Sequence, residues 1–314
     1  MINRFDQDGV ELRFAGNNTL YCNFSGTDAS GLEGLGNSGS GVLVRSDNNV
    51  IGGETPDRRN LLAGNLGDGI TLYASPKAGH LAAGAAPAEP GTSGNLVQGN
   101  FIGANVSGAA PLGNPANGIG ILAASDNTLG GTTPGAENVI SGNAQHGILL
   151  SWFWANGNVI QGNRIGSDVG GYAPVGNGGS GIYFEDASSN TVGGLAAGEG
   201  NRIAFNGSDG ITVLNGYENS FLGNRIELND GLGIDLDGDG PTLNDIGDAD
   251  EGANYDQNYP LVFSAVPDDL TTLISGRLDT QAEQTFTLEF FDNIACDANG
   301  YGEGGLSHGA NTVS

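Results

Sequence analysis

The sequence predicts an all-β fold: a right-handed parallel β-helix of about eight coils, followed by a partial antiparallel β module. Three observations predict it. First, NLVQGNFIG at 95–103 recurs as NVIQGNRIG at 158–166, and the same offset of 63 residues carries NTLGG (127–131) onto NTVGG (190–194) and GILL (147–150) onto GITV (210–213). Second, Gly followed by branched apolar residues opens a short unit at Gly9, Gly41, Gly69, Gly118, Gly147, Gly181, Gly210 and Gly233. Third, each unit holds three short runs of alternating apolar residues, and no segment between these glycines sustains a 3.6-residue period. Units of 20 to 35 residues are too small for a core of their own and must stack, with each unit covering its neighbour.

Taken along the chain, the coils explain most of the composition. Met1 falls in mid-coil, since INRF matches the GNRI of later coils, so the sequence reads as a piece of a longer polypeptide. Cys22 stands where other coils have Gly99 or Gly162 and is expected to be a small packing residue. The other cysteine, Cys296, is too distant in sequence to suggest a disulfide framework. The one long spacing, 49 residues between Gly69 and Gly118, places an Ala-, Gly- and Pro-rich loop at 74–94 in the third coil. In every coil the branched residues, such as Ile148 and Leu150 or Ile182 and Phe184, should point into a shared axial core. Asn65, Asn143, Asn206 and Asn229 each precede a starting Gly by four residues, which predicts corner amides stacked into ladders. Glycines at coil starts and corners are expected to serve tight turns and left-handed conformations. The β-helix should span 1–254 with an acidic closing loop. From 255 to 314 longer alternating runs (YPLVFSAV, TTLISGRL, QTFTLEFF) suggest an incomplete sandwich-like module.

Composition excludes several functions. The chain has 57 glycines in 314 residues, more than double the usual ~7%, but no three-residue period, so it is not collagenous. A net charge of −26, with only 10 basic residues, argues against a nucleic-acid partner. No apolar run reaches the ~18 residues of a membrane helix.

The segments GTDASGLEGLGN (26–37), GANVSGAAPLGN (103–114) and GSDVGGYAPVGN (166–177), with NVISGN and NTVGG, resemble the bacterial right-handed parallel β-helix repeat proteins of pectate-lyase-like fold. The closing segment GIDLDGDGPTLNDIGDADEGANYDQNYPLVFSA is similar to that family as well. The resemblance implies an exported, cell-surface polypeptide. It does not select a function, because the fold hosts lyases, hydrolases, epimerases and inert stalks alike.

Enzymes of that fold work on the outer face of a strand ladder. The outward columns here run Leu43, Thr71, Ile119 or Gly120, Leu149, Tyr183, Thr212, Asp235 and Arg45, Tyr73, Leu122, Ser151, Glu185, Leu214, Asp237. No three adjacent coils supply carboxylates, and Arg45 is four coils from Glu185, about 20 Å at one strand spacing per coil. His80, His146 and His308 are scattered, and His146 has no acidic neighbour in sequence. The leading expectation is therefore a structural or adhesive surface segment, with a polysaccharide lyase or glycoside hydrolase near loop 74–94 as the alternative.

Two ligand signals remain. Asp235, Asp237 and Asp239 before Gly240 form D-x-D-x-D-G, the spacing by which a tight loop turns alternate carboxylates onto Ca²⁺. The twelfth position is Ile246 where an EF-hand has Glu, so Asp245, Asp248 and Asp250 are the remaining expected ligands. The second signal is SWFWAN at 151–156, which holds both tryptophans. Trp152 and Trp154, with Tyr73 and Tyr183, are the expected glycan-stacking residues.

Overall fold

A computed structural model describes residues 1–74, 91–269, 271–281, 283–293 and 300–313. It contains three parallel sheets of eight, seven and seven strands, and in each sheet the strand order steps one coil at a time. The first sheet starts at Val10–Arg13 and ends at Ile234–Leu236. The second runs from Thr19–Leu20 to Ser220–Leu222 and the third from Phe24–Ser25 to Arg225–Glu227. This is the predicted parallel β-helix. The register matches the predicted columns: Ile119 pairs with Ile70 and Ile148, and Ile182 with Ile148 and Ile211.

The core follows from strand alternation. Inward residues of the first sheet (Ile70, Leu72, Ile119, Ile121, Ile148, Leu150, Ile182, Phe184) are fully buried. So are Ile51, Val97, Leu129, Ile160 and Val192 of the second sheet, and Leu62, Ile102, Ile140, Ile165 and Ile203 of the third. A smaller cluster lies outside the third sheet, where the 103–114 and 166–177 loops fold over Leu61, Phe101 and Val139. These loops stack on one another: Val106 N–H donates to Gly31 O (3.1 Å) and Val169 N–H to Gly108 O (2.8 Å).

Asparagine closes every corner. One ladder runs Asn37, Asn65, Asn114, Asn143, Asn177, Asn206, Asn229, a second from Asn18 to Asn219, and a third from Asn23 to Asn224. In the repeating rung, one Oδ1 accepts both the backbone N–H and the side-chain N–H of the preceding coil's Asn, as Asn138 does from Asn100 at 3.0 Å each. Only a primary amide offers an acceptor and two donors at that reach. Two of the ladders end on side chains from outside the repeat, and such a side chain binds the residue beside the end of the third. Asn229 N–H donates to Glu303 (3.0 Å), Asn219 N–H to Asn254 (2.8 Å), and Gly223 N–H to Glu289 (2.9 Å).

Two expectations need correction. The starting glycines, Gly118 among them, do not have left-handed backbones. Their requirement is space, since a Cβ on Gly118 would stand 2.6 Å from Gly147 O and closer still to Ile140 Cγ2. Left-handed glycines occupy the corners instead, for example Gly103 (φ 81°) and Gly166 (φ 89°). Cys22 shares the left-handed backbone of its own column (φ 59° beside 67° at Gly99 and 65° at Gly162), but it is exposed in the first coil and not buried as a packing residue. The C-terminal module consists of two antiparallel hairpins, Leu261–Asp268 with Thr271–Arg277 and Phe286–Asp292 with Leu306–Val313, and Leu261, Ile274, Phe286 and Leu288 from the two line one cavity. Cys296, His80 and most of loop 74–94 lie outside the described residues.

Candidate cation site and outer-face patches

The closing loop begins where the first sheet ends. Asp235 pairs with Thr212 on the outer face, and Asp237 N–H extends the ladder to Val213 O (2.8 Å). Left-handed Gly238 and Gly240 then reverse the chain, and Gly240 N–H donates to Asp235 at 3.3 Å. Asn244 and Asn258 pin the loop: Tyr259 N–H donates to Asn244 Oδ1 and Asp245 N–H to Asn258 Oδ1, both at 2.9 Å.

This fold brings Asp245, Asp248 and Asp250 together, with one carboxylate oxygen from each within 4.8 Å of the others, and such a triad can hold a metal ion. Asp235, Asp237 and Asp239 are not part of it. Asp248 is buried, and its oxygens already accept from Asn258 N–H (2.7 Å), Gln257 Nε2 (3.0 Å) and Thr280 Oγ1 (3.1 Å). Asp237 Oδ1 accepts from Ala253 N–H at 2.9 Å. Burial, then the Asp209 carboxylate, pushes the Asp235 carboxyl up to about 6, with Asp239 and Asp237 adding to the shift and the Gly240 N–H opposing it.

Sequence spacing misses Asp256. It is 8% exposed, and its Oδ1 has no hydrogen-bond partner. Burial first, then Asp237, Asp250, Asp239 and Asp248, push its carboxyl up to about 6. Asp256 is outside any recognised Asp spacing, so only the folded loop reveals it.

On the outer face of the first sheet, the structure brings two of the four expected aromatics together. Tyr73 and Trp152 meet edge to face with ring centroids 6.0 Å apart, and Arg45 lies 4.7 Å over the Tyr73 ring. Trp152 is 43% exposed, whereas Trp154 is half-buried and packs against the axial core. Tyr183 belongs to another contact, stacking on His146 at 4.3 Å. The sequence columns start at the second coil and leave out Glu11, which sits 3.5 Å from Arg45. Glu185 lies four coils away and accepts from Ser151 Oγ at 2.8 Å.

His146 does have an acidic neighbour, Glu185, which partly offsets the burial that holds its imidazole below the usual value. Its Nδ1 accepts the Ser180 backbone N–H at 3.1 Å, a bond available only to neutral imidazole. A histidine whose folded value lies below its unfolded one contributes stability above the unfolded value, and loses it as pH falls through the folded value. Lowering the pH from 7.5 through about 6.5 and below should therefore cost on the order of 1 kcal/mol at this site. Asn117 holds the equivalent place one coil earlier and accepts the His146 N–H (3.2 Å). His146→Asn should keep the acceptor and flatten this part of the pH dependence in denaturant titrations.

The third sheet shows a further pattern. Its outward column passes from Phe24, Leu61, Phe101 and Val139 to Arg164, Arg202 and Arg225 in register. Glu137 lies 3.6 Å from Arg164, and Glu227 bonds both Arg202 and Arg225, so the stacked guanidiniums are held by carboxylates. Comparison of the chain with protein-family models, with curated proteins and with solved structures returned no match.

Proposed function

We propose that this chain is a rigid structural segment of an exported or cell-surface polypeptide, with its β-helix closed by Ca²⁺. One observation carries the reading. Among the described residues the buried asparagine amides are committed to corner ladders that run from coil to coil, while on the outer face of the first sheet Arg45 and Glu185 stand four coils apart. The resemblance to bacterial surface β-helix repeats supports the location. For the ion, the carboxylates of 235–256 favour a hard cation with flexible oxygen coordination, which is the preference of Ca²⁺.

The Arg45–Tyr73–Trp152 patch favours a second, compatible role in contacting glycans. An exposed indole on a rigid scaffold suits sugar stacking, and Glu11 and Arg45 add hydrogen-bonding groups beside it. A panel of surface polysaccharides tests both readings at once. Tryptophan fluorescence should change with at least one glycan, the change should be lost in Trp152→Ala, and no new reducing ends or unsaturated products should form. A silent fluorescence signal across the panel removes the glycan role. Chain cleavage abolished by Glu185→Gln would replace the structural reading with the polysaccharide-active enzyme.

A further inference from the structure

The last coil is closed by residues 253–256. Ala253 is fully buried in the axial core, and Asn254 adds a rung to the second ladder, accepting Asn219 N–H (2.8 Å) and donating to Asn219 O (3.0 Å). Asn254 N–H also donates to Gly216 O at 2.7 Å. The turn that places them has three successive left-handed residues, Asn254, Tyr255 and Asp256 (φ 53°, 64° and 46°).

Two carboxylates converge on the start of this turn. Asp237 Oδ1 accepts the Ala253 N–H, and the Asp256 carboxyl packs directly over Gly252, where a Cβ would meet it. Both therefore sit against the same Gly252–Ala253 peptide. Asp256 is more than nine-tenths buried, and its Oδ1 lacks any hydrogen-bond donor. Leaving a carboxylate oxygen buried without a donor is costly, and a counter-ion at that oxygen removes the cost. The charged groups that act most strongly on Asp256 are aspartates, Asp237 first.

We propose that Asp256 and Asp237 ligate a divalent cation, Ca²⁺ by its tolerance of irregular oxygen coordination, and that this ion locks the 253–256 turn onto the last coil. The inference rests on the Ca²⁺ reading above but assigns the ion to residues outside the Asp245–Asp248–Asp250 triad. Ion binding and closure of the solenoid end are then one equilibrium.

The test combines calorimetric Ca²⁺ titration with backbone amide exchange on the whole chain. In the unsubstituted protein, saturating Ca²⁺ should slow exchange of the Asn219 and Asn254 amides at least tenfold. Asp256→Asn, which keeps the shape, should weaken binding at this site at least tenfold and abolish that slowing, with exchange at Asn138 in mid-helix unchanged to show that the fold persists. Asp245→Asn should leave the slowing in place. Unaltered Ca²⁺ binding and slowing in Asp256→Asn, with both lost in Asp245→Asn, would overturn the assignment and leave the Ca²⁺ reading standing. Absence of any Ca²⁺ binding to the unsubstituted protein would overturn both.

Discussion

Replacing Asn138 by Ala should destabilise the β-helix by about 3 to 5 kcal/mol, near the upper end for a single substitution. Asn138 Oδ1 accepts the Asn100 N–H and Nδ2 at 3.0 Å, while its own Nδ2 donates to Val97 O and Asn163 Oδ1 at 2.9 Å. Truncation removes these four bonds at a residue with 0% exposure. The Asn100 N–H and the Val97 carbonyl are then left without these partners, at about 1 to 3 kcal/mol each. Asn138→Asp should be no better, because a carboxylate oxygen would face Asn163 Oδ1. The control is Asn18→Ala in the first coil, half-buried and at the start of its ladder, where water can donate to Ala15 O and Asn49 Oδ1 in place of the lost Nδ2. That change should cost about 1 kcal/mol. Equal losses at the two positions in urea titrations would mean that the ladders are not a buried stabilising network.

The solenoid was legible because its physics repeats. A coil must return to the same register to bury its branched residues, so the offset of 63 residues, the starting glycines and the corner asparagines all recur together. Even so, sequence spacing picked out four rungs of a ladder that also includes Asn37, Asn114 and Asn177, each four residues before a starting Gly. The arginine column was also written in the text as NRI at 163, 201 and 224. Its meaning depends on those three segments being neighbours in one sheet, which separates them from the arginines elsewhere. Glu227, two residues after Arg225, becomes the shared partner of Arg202 and Arg225 only once the coils stack.

The ligand sites were less legible because they do not repeat. Trp152 and Trp154 are separated only by Phe153, yet one reaches Tyr73 and the other turns to the core. The closing loop folds once, through single-use contacts such as Asn258 with Asp248, so linear spacing could bring six aspartates near one another but could not rank them. Asp256 emerged from burial and an unmet oxygen, properties that no spacing encodes.

Ca²⁺ is expected to complete this acidic end of the β-helix. Without the ion, burial and mutual repulsion hold the Asp235 and Asp256 carboxyls up at about 6. A ligand that binds only the folded state at a hundredfold over its Kd contributes about 2.7 kcal/mol. For a chain of this size, that corresponds to a rise of roughly 4 °C in the thermal midpoint. The most direct measurement is calorimetric unfolding of the whole chain at pH 7.5, in EDTA and in millimolar Ca²⁺. The midpoint should rise by roughly 4 °C in Ca²⁺ and return to its lower value in EDTA. An identical midpoint in both would contradict completion by Ca²⁺.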